Sequence, residues 1–222
     1  MNLPPAGDVA WFRQRLVAWF KSYGRRFPWR EESATGYVKI VSEVLLQRTR
    51  AEVVAGFLPE FVRQFPSWDV LATATEEDLQ RYLQPIGLWR RRAASLERLA
   101  KEMARREGQF PRTREEIEEL PNVGQYIANA ILLLCHGEPQ PLLDVNMARV
   151  LERFFGPRKL ADIRYDPYLQ SLARAVVNAK DPVIVNWAIL DHASVVCKIA
   201  RPLCSSCPVM GRCKFANQRA ET

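Results

Sequence analysis

The sequence predicts an all-α protein with a packed core, and three observations support this prediction. No stretch shows the sustained alternation of apolar and polar residues that is typical of a β-strand. Apolar residues recur instead at the spacing of a helix face. The length of 222 residues and the hydrophobic content of 48% are sufficient for one or two packed domains with a real core.

The predicted helices follow one another along the chain. The first covers 9–23, with Asp8 as its N-cap, and its aromatic residues Trp11, Phe12 and Trp19 are expected to pack in the core. Two helices are predicted within 37–61, and the others at 76–82, 89–106, 112–119, 126–134, 146–155, 168–179 and 183–194. A break at Asp181–Pro182 separates the last two, because proline interrupts a helix.

The chain is basic, with a formal net charge of +7 and a pI near 9.4. This balance favours an anionic partner, nucleic acid first, although a basic protein without such a partner is the alternative. No apolar run approaches the ~20 residues of a membrane span, and the N-terminal MNLPPAGDVAWF lacks the pattern of a signal peptide. The sequence therefore predicts an intracellular, cytoplasmic protein that does not bind a membrane.

Four of the five cysteines cluster late in the sequence, at Cys197, Cys204, Cys207 and Cys213. Their spacing, C-x6-C-x2-C-x5-C, allows all four to reach one metal centre, and an intracellular location disfavours disulfides. Zinc ribbons usually present two CxxC pairs, whereas this segment has one pair and two unequal arms. Cys135 stands apart in an apolar helix and is predicted to be a buried small hydrophobe.

The segment LPNVGQYIANAILLLCHGEPQPLLD, at 120–144, combines a tight turn, a helix and a carboxylate. A loop-to-helix junction presents backbone N–H groups to a phosphate. The candidate contacts at this junction are Asn122, Val123, Gly124 and Gln125. Asn122 is expected to be left-handed, which asparagine tolerates better than most residues. Asp144 can cap the following helix, serve as a functional anion, or do both.

A glutamate lies within the apolar helix VSEVLLQRTR at 41–50. A lone acid in such a helix usually faces solvent. Here apolar neighbours on several sides favour partial burial of Glu43, which would raise its pKa toward that of a general acid. Gln47 and Arg48 follow it as candidate DNA contacts.

A second basic motif, LQPIGLWRRR, occupies 83–92. Its turn at 85–87 precedes three arginines, so Arg90 is a candidate phosphate contact. Leu88 or Trp89 can serve as an apolar wedge that enters a base stack. The alternative is a solvated basic start of a helix.

These motifs, together with RRFPWR at 25–30, resemble the helix-hairpin-helix DNA glycosylases that carry a 4Fe–4S cluster, such as endonuclease III and the adenine and mismatch glycosylases. The resemblance implies a two-lobed fold with an active site in the cleft between the lobes. A six-helix lobe would occupy 31–139. The second lobe would combine 1–30 with 140–222 and hold a 4Fe–4S cluster on the loop 197–213.

The resemblance also implies catalytic roles for three residues. Asp144 matches the family's catalytic aspartate, which would stabilise an oxocarbenium sugar or orient water, steadied by Asn146. Glu43 matches the glutamate that protonates a departing base. Tyr126 stands where bifunctional relatives use a lysine to form a Schiff base. A phenol cannot do this, so a monofunctional glycosylase with little strand cleavage is predicted.

The implied partner is double-stranded DNA with a mispaired or damaged base, which a monomeric enzyme would flip out of the duplex. Adenine glycosylases show LQQT and GLGYY and carry a further C-terminal domain. This sequence has LQRT and GLWRR and continues for nine residues after Cys213. These departures favour the short G:T and G:U mismatch glycosylases, with Arg48 as a donor to the orphaned guanine. The alternatives are adenine removal opposite 8-oxoguanine or guanine and, in another class, a non-catalytic mismatch-binding module.

Overall fold

The computed structural model describes residues 3–220 and confirms the all-α class. Within that range the chain forms twelve α-helices and no β-strand. The helices are α1 (Ala6–Tyr23), α2 (Gly36–Leu46), α3 (Ala51–Gln64), α4 (Trp68–Thr73), α5 (Glu76–Leu83), α6 (Trp89–Arg105), α7 (Arg114–Glu118), α8 (Gln125–His136), α9 (Val145–Phe155), α10 (Pro167–Val177), α11 (Pro182–Val195) and α12 (Lys214–Ala220). None of these helices is long and apolar enough to cross a membrane.

The contacts divide the chain into two compact units. The hairpin unit is Arg26–His136 and contains α2–α8. The terminal unit combines the chain before Arg26 with the chain after His136, and contains α1 and α9–α12. The lobe expected at 31–139 corresponds to the hairpin unit, which covers 26–136 in the structure.

The core of the terminal unit forms around aromatic side chains of α1 and α9. The ring of Phe12 lies 4.7 Å from that of Phe154 and 5.1 Å from that of Phe155, measured between centroids. Both helices are amphipathic, so each buries its apolar face against the other elements of this unit. Further buried members of the same core are Leu16, Met147, Leu151, Leu169, Leu172, Val176 and Ile189.

The start of α1 corrects one prediction. The helix begins at Ala6 with Pro5 at the N-cap position, so Asp8 is not the N-cap. Asp8 lies in the first turn, where its carboxylate pairs with Arg212 at 3.1 Å. The sequence could not reveal this, because Arg212 is 204 positions away.

The hairpin unit has its own core, in which α2 packs on α8. Its fully buried residues include Ile40, Leu45, Leu58, Phe61, Leu96 and Ile131. Two short helices in the structure were not predicted, α4 in this unit and α12 in the other. Ser67 caps α4 by accepting a hydrogen bond from the Val70 N–H at 3.3 Å, which is a common start signal for a helix.

Candidate active site

The turn between α7 and α8 is a tight hairpin. Asn122 adopts a left-handed backbone with φ of 60°, as predicted, and the Val123 N–H donates to the Leu120 carbonyl at 3.2 Å. Val123 is buried, whereas Asn122 and Gly124 are exposed. A Cβ built on Gly124 would meet no atom within 4 Å. The turn is therefore open to close approach by a ligand at the end where Gln125 begins α8 and the helix dipole is positive.

Glu43 and Tyr126 form a hydrogen-bonded pair inside the hairpin unit. Glu43 lies on α2 and is only 3% exposed. Tyr126, half-buried in the first turn of α8, donates its hydroxyl to Glu43 Oε2 at 2.9 Å. The burial of Glu43 agrees with the expectation that apolar neighbours shield it. The two residues are 83 positions apart, so only the packing of α2 on α8 brings them together.

The remaining candidate DNA contacts of the hairpin unit are accessible to different degrees. Gln47 and Arg48 are exposed in the loop after α2, and Arg48 has a φ of 60°. Leu88 precedes α6, is 47% exposed and has a φ of 50°. Positive φ is uncommon for residues other than glycine. Trp89 is half-buried, and the guanidinium of the exposed Arg90 stacks 4.2 Å from the centroid of its ring.

Asp144 caps the N-terminus of α9 in the terminal unit. Its Oδ1 accepts hydrogen bonds from the N–H groups of Asn146 at 2.9 Å and Met147 at 2.8 Å, and its Oδ2 accepts one from Asn146 Nδ2 at 2.6 Å. The N-terminal end of a helix also stabilises an anion. A carboxylate has about four acceptor positions, so these three bonds leave capacity for one more donor.

Buried polar contacts hold the segment that leads to Asp144. The Leu142 N–H donates to Asn186 Oδ1 at 2.7 Å, and Asn186 Nδ2 donates to the Gln140 carbonyl at 3.1 Å. Asn186 is fully buried on α11. It supplies hydrogen bonds that this irregular segment cannot obtain from a helix or strand, and it thereby anchors the segment that precedes α9.

Arg149 connects Asn146 to the cysteine loop, defined here as residues 197–213. Its guanidinium donates to Asn146 Oδ1 at 3.1 Å and to the carbonyls of Ala193 and Cys197, both at 3.0 Å. Burial lowers the pKa of this guanidinium. In the sequence alone, a cation on this helix could equally well bind a phosphate or be solvated. The structure instead shows an internal link between the cap of α9 and the loop.

Arg153 binds the same loop one helical turn later. It donates to the carbonyls of Lys198 and Ile199, both at 2.8 Å, and its Nη1 lies 3.4 Å from Cys197 Sγ. Its guanidinium also stacks 4.6 Å from the ring centroid of Phe215. Sequence reasoning missed this role for Arg153. The available signal was the spacing 146, 149 and 153, which places three polar side chains on one face of a helix.

The four cysteines of the loop line a single pocket. They are Cys197, Cys204, Cys207 and Cys213, and none forms a disulfide. Much of the wall is apolar, from Val150, Phe154, Val196, Leu203, Val209 and Phe215. Within residues 3–220 no three Cys, His, Asp or Glu side chains converge closely enough to hold one metal ion. Four thiols that line one pocket are the ligand set that an iron–sulfur cluster or a zinc ion would use.

His192 contributes a polar atom to this pocket. It is buried on α11, and its Nε2 lies 3.3 Å from Cys207 Sγ. Burial lowers the pKa of His192 to about 4, so the imidazole is neutral at pH 7.

Four cations lie in the cysteine loop or directly after it. Lys198 and Arg201 are exposed. Arg212 instead pairs with Asp8, and Lys214 donates to a backbone carbonyl of α9 at 2.7 Å. Arg212 and Lys214 are exposed as well, so their contacts within the protein do not exclude them from binding an anion.

Comparison with known proteins places these features in a family. The model of the HhH-GPD superfamily of base excision DNA repair proteins matches residues 41–164, more than half of the chain. The matched range contains the hairpin and the residues Glu43, Tyr126 and Asp144.

The relatives match over nearly the whole chain. The chain is 38% identical to a thymine-DNA glycosylase of Aeropyrum pernix, over 95% of this chain and 96% of the relative. It is 36% identical to a thymine/uracil-DNA glycosylase of Pyrobaculum aerophilum, over 98% and 96% respectively. The solved structure of a thermostable thymine-DNA glycosylase superposes with a TM-score of 0.87 at 26% identity, covering 96% of this chain and 98% of that one. This chain is therefore a DNA glycosylase that belongs to the HhH-GPD superfamily of base excision DNA repair proteins.

Proposed function

We propose that this glycosylase is monofunctional and removes thymine or uracil opposite guanine. The observation that carries the proposal is the pair formed by Tyr126 and the buried Glu43. A tyrosine hydroxyl occupies the position at which a lysine would attack the sugar, and it orients a carboxylate in an apolar environment. The similarity to thymine and thymine/uracil glycosylases over nearly the full chain supports the choice of base.

The hairpin is proposed to bind a phosphate of the damaged strand. Asn122 and Gly124 are exposed, the surface over Gly124 is open, and Gln125 begins a twelve-residue helix. Backbone N–H groups at such a junction favour an anion. The formal charge of +7 adds sequence-independent attraction to DNA. The target nucleotide must then leave the base stack, because its sugar is not accessible to attack within the duplex.

Asp144 is proposed to be the catalytic carboxylate. As the N-glycosidic bond breaks, its electron pair leaves with the base and positive charge develops on the sugar. An anion stabilises that charge or orients the water that adds to C1′. The water loses a proton to solvent and the departing base takes one up, so that an abasic site and a neutral base remain. The side-chain amide of Asn146 and the backbone N–H of Met147, in the first turn of α9, hold the carboxylate in place.

Glu43 is proposed to read the edge of the excised pyrimidine. Thymine and uracil present an N3–H donor, which a carboxylate can accept. Tyr126 fixes the orientation of the glutamate through its hydroxyl. In the other strand the guanine loses its partner when the pyrimidine is flipped out. Arg48 can offer two parallel donors to the O6 and N7 acceptors of this guanine. The exposed Leu88 supplies the apolar wedge.

We also propose that the cysteine loop holds a 4Fe–4S cluster with a structural role. Four thiols around one largely apolar pocket match the four thiolate ligands of such a cluster. When bound, the cluster would cross-link the loop. Arg149 and Arg153 tie the same loop to α9 through backbone carbonyls, so the order of the loop supports the helix that Asp144 caps.

A panel of duplexes tests the choice of base. With enzyme in excess, release is expected from G:T and G:U duplexes about a hundredfold faster than from the matched A:T and A:U duplexes. The same panel includes 8-oxoguanine:A and G:A. Release of adenine alone would replace the proposed substrate with the adenine alternative. Tight binding to mismatches without release of any base would indicate a non-catalytic mismatch-binding module.

Borohydride trapping tests the monofunctional mechanism. The phenol of Tyr126 has no amine nitrogen, so it cannot form an imine with the sugar. The reaction is therefore expected to leave an intact abasic site, cleaved only by later alkali treatment, and at most a trace of trapped protein–DNA adduct. A bifunctional relative with lysine at the Tyr126 position is the positive control. Adduct formation comparable to that control would contradict the proposal.

A further inference from the structure

Arg92 is a buried arginine that binds the turn before its own helix. It lies one turn inside α6 and is only 4% exposed. Its Nη1 donates to the carbonyls of Ile86 at 2.8 Å and Gly87 at 2.5 Å. Its backbone N–H donates to the Leu88 carbonyl at 3.0 Å. The side chain and the backbone of Arg92 thus both bind the turn that exposes Leu88.

The other side of the same guanidinium binds the loop after α2. Its Nη2 donates to the carbonyls of Leu45 at 3.0 Å and Gln47 at 2.8 Å, and also to the Thr49 hydroxyl. The Leu45 carbonyl belongs to the last turn of α2, where carbonyls lack a partner within the helix. Arg48 lies directly between Gln47 and Thr49, so the residues on both sides of it are bound.

The two segments that Arg92 joins each expose a left-handed residue. Arg48 has a φ of 60° and Leu88 a φ of 50°. Both side chains are exposed, while the arginine that connects their backbones is buried. We infer that Arg92 is a positioning residue: it holds the Arg48 loop and the Leu88 turn in a fixed arrangement, so that Arg48 and Leu88 act together when the target base is extruded. This inference rests on the proposed function, in which Leu88 enters the stack and Arg48 contacts the orphaned guanine.

The chemistry requires arginine in particular. The planar guanidinium directs several N–H groups outward in fixed directions, so one side chain can bind carbonyls of two separate segments. A lysine carries the same charge on one nitrogen with three N–H donors, which cannot reproduce the five contacts that Nη1 and Nη2 of Arg92 make with the two segments. Arg92→Lys therefore uncouples the segments while it retains the charge.

The test compares Arg92→Lys with Arg98→Lys, the same change at an exposed position of α6. On a G:U duplex with 2-aminopurine beside the uracil, the fluorescence rise on binding reports base extrusion. Arg92→Lys is expected to reduce both this signal and the single-turnover rate about tenfold, because misplaced contact groups slow a positioned reaction. Arg98→Lys is expected to match the wild-type protein. The affinity of Arg92→Lys for undamaged duplex is expected to be unchanged.

A second duplex separates positioning from general damage to the fold. Uracil opposite an abasic-site analogue is already unpaired and has no guanine to contact, so Arg92→Lys is expected to release it within about twofold of the wild-type rate. Leu88→Ala is expected to slow G:U release in the wild-type background and to have less effect when combined with Arg92→Lys, because the two positions act together. If Arg92→Lys does not fold, Thr49→Val removes one hydrogen bond from the same guanidinium and is expected to act in the same direction.

The outcomes are distinct. Equal extrusion and rate for Arg92→Lys and Arg98→Lys on G:U would overturn the inference alone. Equal losses for Arg92→Lys on both duplexes would also overturn it, because they would indicate a purely structural role. Failure of the wild-type protein to release any base from G:T or G:U would overturn the proposed function and this inference together.

Discussion

Asp144→Asn is expected to abolish base release, with a fall in the single-turnover rate of about a thousandfold. The change removes the negative charge that would stabilise the sugar cation. Asparagine is nearly as good an N-cap as aspartate, so α9 is expected to keep its start and the fold its stability. Binding to a G:U duplex is therefore expected to persist.

Asp181→Asn is the matched control for this experiment. Asp181 holds the N-cap position of α11, and its side chain makes no capping hydrogen bond. It receives the same chemical change at another helix start of the terminal unit. Rates for both variants and the wild-type protein are measured on one G:U duplex, with circular dichroism to verify the fold. A rate for Asp144→Asn close to that of Asp181→Asn would show that the catalytic carboxylate lies elsewhere.

Cys204→Ser is expected to remove the brown colour of the protein. This colour is measured as the absorption band at ~400 nm that arises from thiolate-to-iron transitions. Serine lacks the soft thiolate that iron–sulfur clusters require. Soluble yield is expected to fall as well, because the loop that Arg149 and Arg153 bind would lose its internal cross-link. Iron analysis of anaerobically prepared wild-type protein is expected to give about four iron atoms per chain.

Cys135→Ser is the control for the cysteine loop. Cys135 lies on α8, outside the loop, and burial raises the pKa of its thiol to about 11. Its replacement is expected to leave the colour and the iron content unchanged. A colourless wild-type protein that contains one zinc per chain would contradict the cluster.

Much of the local structure was predictable because it depends on near neighbours in the chain. Helix positions follow from residues three and four apart, from proline breaks and from caps. Asn122 was expected to be left-handed because its side chain tolerates that backbone, and Asp144 was expected to cap α9. The spacing of the four cysteines likewise predicts that they lie near one another, and the structure places all four around one pocket. Each of these inferences required fewer than about twenty residues of sequence.

The contacts that join distant segments were not predictable, because they depend on which helix faces meet. Glu43 and Tyr126 are 83 positions apart, and the Arg92 side chain reaches acceptors 43 to 47 positions away. In the sequence, Arg92 is one of three consecutive arginines, and Arg149 and Arg153 are cations on a helix that could equally well be solvated. Packing buries all or part of these three side chains, and a buried charge must find hydrogen-bond acceptors. The pattern of residues thus established the helices and the candidate chemistry. Only the packing of the folded chain, which removes water from these three arginines, determined that they donate to backbone carbonyls of distant segments.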